Sequence, residues 1–217
     1  MNQGPSTFRL VLGPLLLTTL VCVVRLVGEV QGWISPRSGG ALHPLGISWL
    51  AFVFGVWFAV RLQRDGSAPR LEWSRTVATL PLLGLSAAVA WQFGPFAGQP
   101  ADDATFGRLR IAVLILVTLA STAAAVAFAV WPRLAWTMLA YALPTRLVVF
   151  LITWFAKVQG YDTHYVKFGP PGIERDLPDT LLATALAQGG FWVPFTVVCG
   201  VALGVWFARS RATSVRR

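Results

Sequence analysis

Charged side chains are scarce in this sequence: they make up 12% of its 217 residues, while 55% are apolar. A water-soluble domain of this length carries more charge, because charged groups populate the surface around its core. Here long stretches carry none and would have only lipid to face. The scarcity therefore excludes an ordinary soluble fold and predicts an all-α, polytopic membrane protein. Cysteine is as rare. Cys22 and Cys199 both fall inside apolar runs, far from any spacing that builds a metal site or a disulfide framework, which leaves them as small packing residues. Histidine occurs only at His43 and His164, with no paired ligand spacing. The sequence also lacks a nucleotide-binding loop, a metal motif and a nucleophile elbow, so it offers no catalytic set, resident metal or specified cofactor. No Ala-x-Ala site follows the first apolar run, and Arg25 lies within it. That run is expected to be a retained helix rather than a secretory signal.

What is present is a series of apolar runs. At about 20 residues per crossing, the spans fall at roughly 10–28, 45–62, 77–93, 111–131, 134–158 and 181–208, a single transmembrane domain with an outer loop at 159–180. Pro81 and Gly84 weaken the third. The break at Trp131-Pro132-Arg133 is so short that the fourth and fifth spans must be antiparallel neighbours. Six crossings place both termini on one side.

The net charge of +9 comes almost entirely from arginine. In a soluble protein that balance would suggest nucleic acid. Position argues otherwise: Arg61, Arg64, Arg70 and Arg75 share one loop with the turn at Arg133 on the same side, and Arg209, Arg211, Arg216 and Arg217 lie in the tail. That side should be cytoplasmic, which predicts an inner (cytoplasmic) membrane protein with both ends inside and no nucleic-acid partner. The opposite loops hold most of the acid, including Glu29, Asp102, Asp103, Asp162, Glu174, Asp176 and Asp179, although Arg37, Arg108, Arg110 and Arg175 lie there too.

Trp91, Trp154 and Trp192 are expected near outer span ends and Trp131, Trp136 and Trp206 near inner ones, as interfacial anchors. Phe54, Trp57 and Phe58 follow helical spacing, which suits packed or lipid-facing aromatics better than a pigment wall. Gly200 and Gly204, with Ala120, Ala124 and Ala127, supply the small residues of a close-packed bundle, either within the chain or against another subunit.

Intramembrane charge is the best pointer to function, because a charged residue at the bilayer centre costs roughly 2.5–3.5 kcal/mol on the most lenient scale. Arg25 and Glu29 are four residues apart and can pair on one helix face. Arg146 lies near the middle of the fifth span, just after Pro144, with no acid within a turn. It must find a carbonyl, Glu29 or a bound anion. The loop beyond carries Tyr161-Asp162-Thr163-His164-Tyr165, in which His164 could carry protons beside Asp162 or approach a metal with His43. Hydrogen bonding that merely orders the loop is the plainer reading. The candidate binding residues are thus Arg25, Glu29, Arg146, Asp162, His164 and Tyr165, with Gln188 as a further lining residue.

An arginine in the penultimate span followed by an outer Thr163-His164-Tyr165 resembles uncharacterised small bacterial multi-pass membrane proteins, over Arg146 to Pro171. The resemblance implies architecture and carries no activity. Six spans in about 200 residues also resemble the substrate-binding subunits of energy-coupling vitamin transporters, but the alanine-spaced docking face expected of their first helix is missing from 10–28. Three functions follow as expectations. The first is a small-molecule or anion carrier, with Arg25, Arg146 and Glu29 lining one polar cavity under the His164 loop. The second is an accessory or scaffolding subunit, whose partners are lipids and other membrane subunits. The third is an outer-leaflet lipid-modifying enzyme using Asp162 or His164 as base.

Overall fold

The structure is a computed structural model that describes residues 6–36, 43–70, 72–93, 103–167 and 175–214. Arg37, Asp102, Glu174, Arg216, Arg217 and residues 168–174 of the expected outer loop, including Pro171, lie outside them. Among the described residues there is no strand. The helices are α1 (Thr7–Val30), α2 (Leu50–Arg64), α3 (Ser74–Phe93), α4 (Asp103–Val130), α5 (Pro132–Val158), α6 (Leu177–Ala185) and α7 (Val193–Ser214). A 3-10 turn at His164–Val166 follows α5, and a π-helical segment, Leu186–Trp192, joins α6 to α7 as one unbroken rod.

Local chemistry sets these limits. Pro132 opens α5 at its first turn, where its missing N–H costs nothing. Asp176 caps α6 through a 2.9 Å bond from the Asp179 N–H, with Pro178 in the first turn. Gly160, at φ +67°, ends α5: its N–H reaches the Lys157 carbonyl, and the Tyr161 N–H reaches the Ala156 carbonyl at 2.9 Å. That left-handed turn redirects the chain toward α1.

Among the described residues, four helical units meet both the length and the apolarity of a membrane crossing: α1, most of α4, α5, and the α6–α7 rod from Leu177 to Ala208. The expected second span falls short. Residues 44–49 form turns instead of helix, so α2 begins at Leu50 rather than residue 45 and its 15 residues rise about 22 Å, less than the ~30 Å hydrocarbon core. By contrast α3, Ser74–Phe93, covers the whole of the expected third span, and its 20 residues rise about 30 Å. Large apolar side chains point outward along the long helices, among them Phe8, Leu16, Leu20, Leu114 and Leu151, as lipid-facing surfaces do.

Burial concentrates on α2 and α7, which run against each other in the middle of the bundle. Their backbones almost touch. A Cβ on Gly55 would collide with the Gly200 backbone, and one on Gly204 with Leu134 and Ala59. The small-residue pair therefore serves contacts inside this chain, as does the alanine stripe of α4: Ala120 packs with Leu85 and Leu116, and Ala124 with Val198. Phe54 and Phe58 are buried against Tyr141, with ring centroids 5.3 and 6.0 Å away, so they are core aromatics. The Tyr141 hydroxyl in turn bonds Thr18 at 2.8 Å and ties α5 to α1. Cys22 and Cys199 are buried and unpaired. Trp131 departs from its expected place at the interface, because it is 1% exposed and donates to the Ser67 hydroxyl at 2.9 Å.

Overpacking the α2–α7 contact should be far worse than adding a side chain where nothing is near. Gly55→Leu, whose Cβ would run into the Gly200 backbone, is expected to destabilise the protein by about 3 kcal/mol or more. Gly84→Ala, whose Cβ meets nothing within 4 Å, should be neutral or stabilising by up to ~1 kcal/mol. Thermal unfolding of the two variants in a mild detergent measures the contrast.

Candidate functional site: two separate polar clusters

The first cluster joins α1 to the loop after α5. Arg25 and Glu29 are both 4% exposed, and the Arg25 Nε donates to a Glu29 oxygen at 2.9 Å. The other carboxylate oxygen accepts the His164 backbone N–H at 2.9 Å, and the carboxylate also bonds the His164 Nδ1, at 2.6 and 2.8 Å from its two oxygens. Tyr165 completes the fastening by donating to the Cys22 carbonyl at 3.1 Å. Two consecutive loop residues are thus hooked to α1 about two turns apart. The α5-ending turn at Gly160 makes this reach possible.

Protonation follows from that geometry. With Glu29 ionised beside Arg25, the Nδ1 of a neutral His164 is the donor and its Nε2 keeps the lone pair. Burial pushes the imidazole below its ordinary value of 6.5. Glu29 opposes that shift, but Arg25 already compensates its charge, and His43 faces the ring from the α1–α2 connection and adds to the lowering. Burial pushes the Tyr165 phenol up, so it stays a neutral donor. His43 is occupied locally, its Nδ1 accepting the Leu45 N–H at 3.1 Å. Asp162 does not join His164: it pairs with Lys167 at 2.8 Å, exposed to solvent. No group of three metal-ligating side chains occurs among the described residues.

The second cluster surrounds Arg146, near the midpoint of the 27-residue α5 and 6% exposed. Its guanidinium donates to Thr196 Oγ1 at 3.1 Å and, at a long 3.4 Å, to the Gln188 amide oxygen. It also lies 5.2 Å from the Trp192 ring centre, a cation–π contact. Its Nε has no hydrogen-bond partner among the described residues. Glu29, the sequence-expected counter-ion, is held by Arg25 and His164 instead. Arg146 therefore has no carboxylate partner among the described residues.

Gln188, Trp192 and Thr196 recur every fourth residue along the π segment and into α7. A π turn widens the helix and interrupts the regular ladder, a feature frequent at functional sites. Trp192 faces Arg146 here rather than serving as the expected interfacial anchor. Beside the guanidinium lies an open groove of about 500 Å³ between α5 and the π segment, with Leu147, Phe150 and Val193 in its walls and Gly189 on the π side. Leu143 and Leu147 on its rim are more than half exposed.

The candidate residues do not line one cavity. Arg25, Glu29, His164 and Tyr165 form the α1–loop fastening, Asp162 sits outside it on the surface, and Arg146 with Gln188 forms the groove. Sequence reasoning missed Thr196, Trp192 and the groove itself. The Gly189-Gly190 pair beside Gln188 in an apolar run was the available signal. Comparison of this chain with known protein families, with curated proteins and with solved structures finds no match.

The fastening carries a pH dependence. Because His164 resists protonation in the fold, its contribution is fully present above 6.5 and declines as pH falls below that value, where the unfolded chain takes the proton first. The unfolding midpoint of the wild-type chain should therefore fall between about pH 6.5 and pH 5, with a shallower slope in His164→Gln. Glu29→Gln, which leaves Arg25 buried without its counter-ion, should cost about 3 kcal/mol at neutral pH in the same measurement.

Proposed function

We propose that this protein is an integral protein of a bacterial cytoplasmic membrane that crosses it six times, keeps both ends inside, and binds an anionic small molecule at Arg146. The observation that carries this reading is the guanidinium itself: nearly buried, held by an amide and a hydroxyl, with its Nε–H unused and no acid beside it among the described residues. A cation in that state is costly in hydrocarbon and is relieved by an anion that brings its own charge. The π segment supports a binding role, since it presents Gln188 and Trp192 to the same point. On this reading α2 crosses the membrane as an inner helix shielded by the longer ones, α3 crosses beside α4 and α7 with Leu80 and Leu83 turned to lipid, and the arginines of the α2–α3 loop set the orientation.

A second reading rests on the same unmatched charge. As an accessory subunit, the protein would receive the carboxylate from a partner's membrane helix. The two differ in what Arg146 requires. For ligand binding, the purified full-length chain should unfold at a higher temperature in the presence of its anion, and Arg146→Gln should abolish the rise; at a hundred times Kd the gain is about 2.7 kcal/mol. A panel of carboxylates and phosphates that leaves the wild-type midpoint unmoved, with Arg146 found against a partner's acid, would favour the subunit reading. Orientation is checked by fusing a reporter that fluoresces only in the cytoplasm to the C-terminus and, separately, between Gly66 and Ser67. Both fusions are expected to fluoresce.

A further inference from the structure

We infer that the anion is the head of an amphipath, a molecule with a carboxylate or phosphate at one end and an apolar chain at the other, reaching Arg146 sideways from the bilayer. This inference rests on the Arg146 reading above and specifies its ligand. Three features lead to it. The groove beside Arg146 is walled by Leu147, Phe150 and Val193, and its rim leucines are more than half exposed. Those rim residues lie on α5, a helix long and apolar enough to span the membrane, so in the bilayer the mouth of the groove faces acyl chains. Finally, the polar side chains bordering the groove are Arg146 and Gln188.

A small aqueous ion suits that lining badly. It would lose its hydration for one guanidinium and one amide, and its remaining surface would meet apolar walls. An amphipath avoids most of that loss. Its chain leaves the groove for the surrounding hydrocarbon, while its oxyanion draws the buried Nε–H toward the groove by a small turn of the side chain and meets the guanidinium in the fork geometry at which arginine binds carboxylate and phosphate. Gly189 keeps the groove open on the π side: a Cβ there meets nothing within 4 Å, so a larger side chain would enter empty space rather than the protein.

The test uses the full-length chain in lipid nanodiscs and tritiated oleate, measured by scintillation proximity. Saturable binding is expected, weakened at least tenfold by Arg146→Gln and, through blockage, by Gly189→Leu. The wild-type protein alone provides a second test that needs no variant. Displacement should strengthen from acetate to octanoate by about threefold to fourfold per added methylene, while oleyl alcohol, which lacks the charge, should displace poorly. Lysophosphatidate displacing better than oleate would assign the head group as a phosphate, and the reverse order as a carboxylate; either supports the inference. Acetate or inorganic phosphate displacing as well as octanoate would overturn it and leave an Arg146 anion site standing. Oleate binding indifferent to Arg146→Gln, or equal displacement by oleyl alcohol, would overturn both.

Discussion

Transferring an arginine side chain to the middle of an apolar helix costs roughly 2.5–3.5 kcal/mol on the most lenient scale, and the elements around Arg146 are arranged about that cost. Thr196 and Gln188 accept its protons, and Trp192 turns its ring toward the guanidinium. All three come from the rod that also forms the centre of the bundle through α7. The rod can press this close because Gly200 meets the Gly55 backbone of α2 directly, while Gly200 and Gly204 leave room for the Met138 and Leu134 side chains of α5. Partial relief for one charge thus depends on the tightest packing in the protein, and the unused Nε–H marks where relief stops.

The Arg25–Glu29 pair solves the same problem in the opposite way. There the cation has its carboxylate within a turn of its own helix, and the remaining capacity of that carboxylate is spent on His164. A charge-balanced set of this kind holds a loop in place. The contrast separates two arginines that look equivalent on paper. One has its counter-ion on its own helix, and the other has none among the described residues.

Composition and periodicity were enough to reveal the all-helical architecture, the apolar helices, the Arg25–Glu29 pair and the isolation of Arg146 from acids on its own helix. These are properties of single helices, and spacing along one helix decides them. Legibility ends where two helices meet. Nothing in the spacing of Glu29 and His164, 135 residues apart, announces that one caps the other, and the expected approach of Glu29 to Arg146 fails because His164 and Arg25 reach the carboxylate first. The shortening of α2 is also tertiary in origin. Its apolar run extends back to Leu45, but Gly46 and the turns before Leu50 begin the helix later, and burial by α7 removes the need for a full lipid-facing length. The π segment was visible only as Gly189-Gly190, a pair that lowers helical preference without saying what replaces it.

The central claim is that Arg146 is completed by an anion from outside the chain, and the direct measurement is a high-resolution map of the protein purified gently with its native lipids. The account predicts density for an acidic group within hydrogen-bonding distance of the Arg146 Nε, about 3 Å, continuing past Leu147 and Phe150 toward the surrounding lipid. A well-resolved groove with no such density, in which the guanidinium contacts only Gln188, Thr196 and Trp192, would contradict it.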